Sequence, residues 1–444
     1  MLIKNAIILL LLLNLVGCGG GGGGVQPTIY PVVSLSTSHA SVTENSGTTV
    51  TLTVTASKIS DEDITVTLST SGTATDGTDY SAVNGSSLTI TAGTTTAIKT
   101  FTITDNSIYE GNETVIVAIS TVSGGSATEN GTQIETITIT ENESAPVITL
   151  ATSHTTVAEN SGTTITLTAT SSQVADEDVV VTLASSGTAT NGTDYSSLGG
   201  STITIAAGAT TGTITGTPTD DSIYEDDEVA TIAILSVSGG GATESGTQSV
   251  SITITENESA PTITLATSHT TVTENSGTTV TLTATASQVA DEDIIVTLAS
   301  TGTAINGTDY SSLGGETITI SAGATTGTIT GTPTDDSTYE GSETATIDIS
   351  TVSGGSATEN GTQSVSITIT ENETAPTVSI ATSASSVYDN GSSLTLTATS
   401  TQISKEAITV FIGTLGTAIE GTDYATISNI TIAAGATTGT TTFN

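Results

Sequence analysis

A chain that repeats itself every 115 residues must fold as a row of like units. Glu44-Asn45-Ser46-Gly47 returns as Glu159-Asn160-Ser161-Gly162 and Glu274-Asn275-Ser276-Gly277, each step 115 residues long. Asp79-Tyr80 returns as Asp194-Tyr195, Asp309-Tyr310 and Asp423-Tyr424. Tyr109-Glu110 returns as Tyr224-Glu225 and Tyr339-Glu340, and Glu141-Asn142-Glu143 as Glu256-Asn257-Glu258 and Glu371-Asn372-Glu373. A period this long is a whole domain rather than a solenoid unit, so each repeat carries its own core. Ala145-Pro146, Ala260-Pro261 and Ala375-Pro376 mark the joints, where proline ends a strand and stiffens a short linker. The units are residues 32–146, 147–261, 262–376 and a shorter fourth, 377–444.

Within a unit, Val and Ile alternate with Thr and Ser, the pattern of half-buried strands. Repeat 1 is expected to hold seven. They are A from Val32 to Leu35, running on toward Val42, B Thr49 to Ala56, C Ile64 to Ser69, D Ser87 to Thr91, E Thr96 to Thr104, F Glu113 to Ser120 and G Gln133 to Thr140. Short strands between Gly-rich turns predict an all-β chain of tandem immunoglobulin-like sandwiches.

Strand alternation then places the acids. With A running down, the A–B, C–D and E–F loops and the end of G all reach one pole. Glu44 lies in A–B, Asp79 in C–D, Asp105, Glu110 and Glu113 in E–F, and Glu141 and Glu143 after G. The matching sets are Glu159, Asp194, Asp220, Asp221, Glu225, Glu228, Glu256 and Glu258, and then Glu274, Asp309, Asp335, Asp336, Glu340, Glu343, Glu371 and Glu373. Such crowding is unfavourable without a counter-charge. The chain has 45 acidic residues against 4 lysines and no arginine, for a formal charge of -41. Beyond the N-terminal Lys4 only Lys58, Lys99 and Lys405 remain. Nucleic acid is excluded as a partner, since phosphate contacts need Lys or Arg. Divalent cations are attracted instead. An all-oxygen set on flexible loops suits Ca2+ better than Mg2+, and zinc lacks thiolates and has one histidine per repeat.

The N-terminus has its own logic. Lys4 precedes an apolar run from Ala6 to Val16, too short to span a bilayer. Leu15-Val16-Gly17-Cys18 resembles the lipobox of bacterial lipoproteins, which implies a signal of residues 1–18 and a lipid on Cys18. Residues 19–31, opening with Gly19 to Gly24, are a flexible tether. Gly19 in place of aspartate points to the outer membrane or cell surface in a two-membrane host. Cys18 is the only cysteine, so no intrachain disulfide exists and a metal is the remaining staple.

The repeat resembles the Calx-beta domain, first noticed in sodium–calcium exchangers and integrin-associated proteins. The matching stretches are Gly72-Thr73-Ala74 through Gly77-Thr78-Asp79-Tyr80, Thr104-Asp105 through Tyr109-Glu110 to Glu113, and Glu141-Asn142-Glu143 where the family has aspartates. The resemblance covers Val32 to Asn444 and implies that Glu44, Asp79, Asp105-Asn106, Glu110, Glu113, Glu141 and Glu143 ligate calcium. Asn106 stands where repeats 2 and 3 have Asp221 and Asp336, so repeat 1 is expected to bind less, with one or two ions per repeat overall. Repeat 4 departs further. Asp389 replaces the Glu, Lys405-Glu406-Ala407 replaces Asp61-Glu62-Asp63, and the sequence stops at Phe443-Asn444 in strand E, which is the expectation for a piece of a longer protein or for a frayed tail.

Other features read as structural. Asp61 to Asp63 and Asp176 to Asp178 lie in B–C loops at the opposite pole, with Asp176 to Asp178 facing the acids of repeat 1 across the linker. His39, His154 and His269 read as surface residues, and Tyr80, Tyr109 and their counterparts as core or corner tyrosines. No nucleophile set is present, so catalysis is not expected. The expectation is a calcium-binding, lipid-anchored surface protein, a Ca2+-stiffened stalk carrying adhesion surfaces. Its partners would be calcium ions, the membrane at its anchor, and surface proteins or glycans. Alternatives are a Ca2+-responsive module in cell communication and the non-catalytic part of a larger secreted enzyme.

Overall fold

The computed structural model describes residues 29–196, 198, 201–311, 313, 316–388 and 391–444. The expected signal, Cys18 and Asp389 lie outside the described residues. Repeat 1 contains β1 (Val32–Thr37), β2 (Ser41–Thr43), β3 (Thr49–Ala56), β4 (Ile64–Gly72), β5 (Ser87–Ile90), β6 (Thr96–Thr102), β7 (Ile108–Tyr109), β8 (Glu113–Ser123), β9 (Thr128–Glu129) and β10 (Ile134–Thr140). One sheet has the order β6-β3-β1-β9 and the other β2-β10-β8-β4-β5. Repeats 2 and 3 reproduce both sheets. Among the described residues no helix is long and apolar enough to cross a membrane.

The seven expected strands are present, with three additions. Strand A does not run through to Val42. It breaks after Thr37, and β2 changes sheets to pair in parallel with β10. The break is held by polar side chains: the Thr37 hydroxyl donates to the His39 carbonyl (3.1 Å), and Ser38 Oγ accepts from the Thr51 amide (2.9 Å). The other additions are β9, which edges β1, and β7, which belongs to the joint.

Alternation puts one row of each strand inside. Along β3, Val50, Leu52, Val54 and Ala56 are buried and the intervening threonines are not. Val115, Val117 and Ile119 of β8 and Ile137 and Ile139 of β10 face them in one core. Each aliphatic side chain so buried contributes roughly 1.5–3 kcal/mol. The repeats fill this core differently. Phe101, opposite Val50, packs edge-on to Tyr80 at 5.6 Å, beside Val83. Repeats 2 and 3 have Gly216 and Gly331 there, and Leu198 and Leu313 in place of Val83 grow into the vacated space. Volume lost on one strand is thus regained on a loop.

At the first joint β7 pairs in parallel with Val174–Ala175 of repeat 2, and the Tyr109 carbonyl accepts from the Asp176 amide (3.2 Å). Tyr224 and Tyr339 make the same bridges to Ala290 and Ser404. The expectation of a core or corner tyrosine therefore holds for Tyr80, Tyr195 and Tyr310, which are buried, and fails for Tyr109, Tyr224 and Tyr339, which are half-buried joint residues. Gly241 of repeat 2 is glycine because any side chain would strike the Tyr109 ring.

Repeat 4 has a three-stranded sheet of Val378–Thr382, Leu394–Ser400 and Thr438–Phe443, and a pair of Ile408–Val410 with Ile430–Ile432. Its buried cluster is Ala398, Ile430 and Ile432, and Ile380, Phe411 and Leu415 are exposed.

Candidate metal centre

The acidic pole of each repeat is assembled from four segments. Glu44 opens a single 3-10 turn, Glu44–Ser46, closed by Gly47 at φ 61, a left-handed conformation that glycine adopts without strain. That turn tucks Glu44 under the sandwich, 4% exposed. Asp79 follows β4 and is 7% exposed, with its Oδ2 accepting from the Thr75 amide (2.5 Å). Glu110 and Glu113 flank the turn between β7 and β8, and Glu141 and Glu143 follow β10.

These side chains gather into two groups rather than one. Oxygens of Glu44, Glu141 and Glu143 lie within 4.8 Å of one another, and so do those of Asp79, Glu110 and Glu113. Repeat 2 repeats both, as Glu159, Glu256 and Glu258 and as Asp194, Glu225 and Glu228. Repeat 3 gathers Glu274, Glu371 and Glu373.

Glu141 is fixed in a way the sequence does not disclose. Its Oε2 accepts from the Glu110 and Gly111 amides (2.6 and 2.8 Å), and its Oε1 from the Asn142 and Glu143 amides (2.8 and 2.9 Å). A carboxylate has about four lone-pair directions, and all are taken. Burial opposes its charge, but these donors outweigh burial and hold its pKa below the ordinary value. Glu256 and Glu371 are held likewise, Glu371 down to about 2. Glu141 therefore ties the β7–β8 turn to the end of β10 and orients its neighbours.

The neighbours are under-satisfied. Burial, then Glu141, Glu110, Glu143 and Asp105, push Glu44 up to about 7, and burial leads the same rise in Glu159 and Glu274. Glu113 rises to about 7 through burial and Asp79, and Glu228 to about 8 through burial and its contact with Asp194. Glu143 Oε2, Glu258 Oε2 and Glu373 Oε2 are buried without any hydrogen-bond partner, at the same position in all three repeats. A buried acceptor with no donor costs free energy that a cation would recover.

The remaining expected residues sit around these groups. Side-chain contact with Glu141, Glu256 and Glu371 leads the rise in Glu143, Glu258 and Glu373, and Asp105, Asp220 and Asp335 add their charge to it. The Asp221 amide donates to Glu159 Oε1 (3.2 Å) while its carboxylate adds to the rise of Glu225, and Asp336 adds to the rise of both Glu274 and Glu340, so each bridges the two groups. In repeat 1 Asn106 stands at that bridge and lowers Glu110 by a hydrogen bond.

Across the joint, Asp176 alone of its run faces repeat 1 and adds to the rise that burial and Asp79 impose on Glu110 and Glu113. Glu177 and Asp178 turn back to accept from the Gly240 and Ala207 amides of their own repeat (3.3 and 2.8 Å). Asp291 faces Glu225 and Glu228 in the same way. Asp226 was not singled out by the sequence reading. It stands where repeats 1 and 3 have Gly111 and Gly341, at φ 63, and accepts from Tyr224 Oη and from Ser356 Oγ of repeat 3 (2.8 Å). Its signal was the loss of a repeated glycine.

The chain matches the model of the Calx-beta domain three times, over residues 27–143, 141–258 and 256–373. No curated protein matches it. Among solved structures it is similar to CBD12 from CALX1.2, at 16% identity over 50% of this chain and 99% of that one, TM-score 0.24. It is also similar to calcium binding domain CBD12 of CALX1.1, at 18% over 45% and 78%, TM-score 0.20. A third is invasin, a bacterial integrin-binding protein, at 12% over 83% and 76%, TM-score 0.24.

Proposed function

The chain belongs to the Calx-beta domain family, and from that premise we propose that it is a calcium-binding surface stalk, lipid-anchored through Cys18, in which Ca2+ fills the acidic pole of each complete repeat. The observation that carries this reading is the unpartnered buried oxygen of Glu143, Glu258 and Glu373 in three successive repeats. An all-oxygen set fits Ca2+, which takes six to eight such ligands with tolerant geometry.

In the first group Glu44, Glu143 and Asp105 would hold the ion, positioned by the saturated Glu141. In the second, Asp79, Glu110 and Glu113 would hold it from one repeat and Asp176 from the next. In repeats 1 and 2 the ion would supply positive charge where the described residues place none, and would offset the repulsion that raises these carboxyls. Because the second group spans a joint, its occupancy would also stiffen the row and hold adhesion surfaces away from the membrane.

Calorimetric titration of the full chain with Ca2+, with thermal melting alongside, tests the reading. Saturable binding of more than one ion and a rise in Tm are expected, the stabilisation being about 2.7 kcal/mol per site at a hundred times Kd. Absence of binding at millimolar Ca2+ overturns it. Solution scattering with and without chelator tests the stalk, which should lose length when stripped of metal.

A further inference from the structure

The joints share one backbone hydrogen bond and differ in the side chain that faces the acids of the preceding repeat. The Asp176 amide donates to the Tyr109 carbonyl (3.2 Å), the Asp291 amide to the Tyr224 carbonyl (3.1 Å) and the Lys405 amide to the Tyr339 carbonyl (3.0 Å). Lys405 thus occupies in repeat 4 the place that Asp176 and Asp291 occupy in repeats 2 and 3. Its ammonium enters the second acidic group of repeat 3, with Nζ donating to Glu343 Oε1 at 2.6 Å and lying 3.5 Å from Glu340 and 3.7 Å from Asp309. Glu343 and Asp309 are 8% and 5% exposed, so the charge is delivered to a largely dry place.

We propose that Lys405 is a tethered cation standing in for the metal ion at this joint, so that repeats 3 and 4 are held together without Ca2+ while the two preceding joints require it. The inference rests on the calcium reading for those two joints. The side chain reaches in from the next domain, so it can fill the group only while the domains are docked. At the first joint the same space is bounded by four carboxylates, Asp79, Glu110, Glu113 and Asp176, which the chain meets with no cation of its own. At the third joint one carboxylate is gone and one positive charge has arrived. An ammonium offers three donors and a single charge, and this one lies within 3.7 Å of all three carboxylates, in the place an ion would take.

The test uses the full chain with Cys18→Ser and pairs of spin labels at exposed positions, Thr202 with Thr317 across the second joint and Thr317 with Thr431 across the third. In chelator the third-joint distance distribution should already be narrow, and the second should narrow only when Ca2+ is added. Lys405→Met should broaden the third joint in chelator, and Lys405→Arg should keep it narrow. Lys405→Asp should make the third joint Ca2+-dependent and raise the bound Ca2+ per chain by one. An unchanged third-joint distribution in Lys405→Met overturns the lysine lock and leaves the calcium reading standing. Absence of Ca2+ binding in every variant overturns the calcium reading itself, and with it the metal's place at the first two joints.

Discussion

The joint after repeat 2 and the joint after repeat 3 share their backbone contacts and oppose each other in charge. In the former, Asp291 approaches Glu225 and Glu228 and helps push them up to about 7 and about 8. In the latter, Lys405 hydrogen-bonds Glu343 and pulls back the rise that burial imposes on it. Burial works to lower the Lys405 ammonium, but the surrounding carboxylates outweigh it and leave its pKa raised. One substitution in a B–C loop thus decides whether the acids of the preceding repeat meet a like or an opposite charge. The lesson is that a site in a repeat array belongs to two units, and reading one unit alone misses its last component.

The largest expected effect carries the charge of the third joint to the first, where Asp176 stands in the place of Asp291. Asp176→Lys should place an ammonium among Asp79, Glu110 and Glu113, remove one bound Ca2+ per chain, and raise the Tm measured in chelator. An unchanged ion count by calorimetry would break the equivalence of positions 176 and 405. Next comes Glu256→Gln, which keeps the volume and removes an acceptor for the Glu225, Asn257 and Glu258 amides. Loss of an orienting group of this kind costs metal affinity about 10–100-fold. Calorimetry should show that loss in repeat 2, with repeats 1 and 3 unaltered.

A third effect follows pH in the metal-free protein. Glu113 and Glu228 have folded values near 7 and 8, above the ordinary 4.5. A group raised on folding contributes stability that is fully present below its unfolded value and is lost as pH rises through the folded one. The chelated chain should therefore melt higher at pH 5 than at pH 8. Hydrogen exchange should show residues 105–113 and 220–228 gaining protection on acidification more than residues 335–343, where Lys405 is already present. The smallest effect is that of Asn106→Asp, which gives repeat 1 the bridging acid of repeats 2 and 3. A several-fold rise in Ca2+ affinity of the first repeat is expected, read by titration against the unchanged chain.

Much of this protein is legible in its sequence. The 115-residue period, the seven strands and the four segments carrying the acids follow from alternation and spacing, because strand period and core burial are local consequences of side-chain type. The split of the acids into two groups was not legible, nor was the saturation of Glu141. Both depend on how far a loop folds back, and two amides 30 and 31 residues away settle the latter. The break in strand A leaves only a phase change, from Val33 and Leu35 inward at odd positions to Val42 inward at an even one, and the change of sheets itself rests on the pairing of β2 with β10. Tyr80 and Tyr109 look alike in sequence, yet one is core and the other a joint residue, since only the next repeat supplies Tyr109 with its partner. By itself the sequence determined the fold of each unit and the inventory of charges. The tertiary structure decided which charges meet, because those distances are set by packing between segments and between repeats, where no local periodicity reaches.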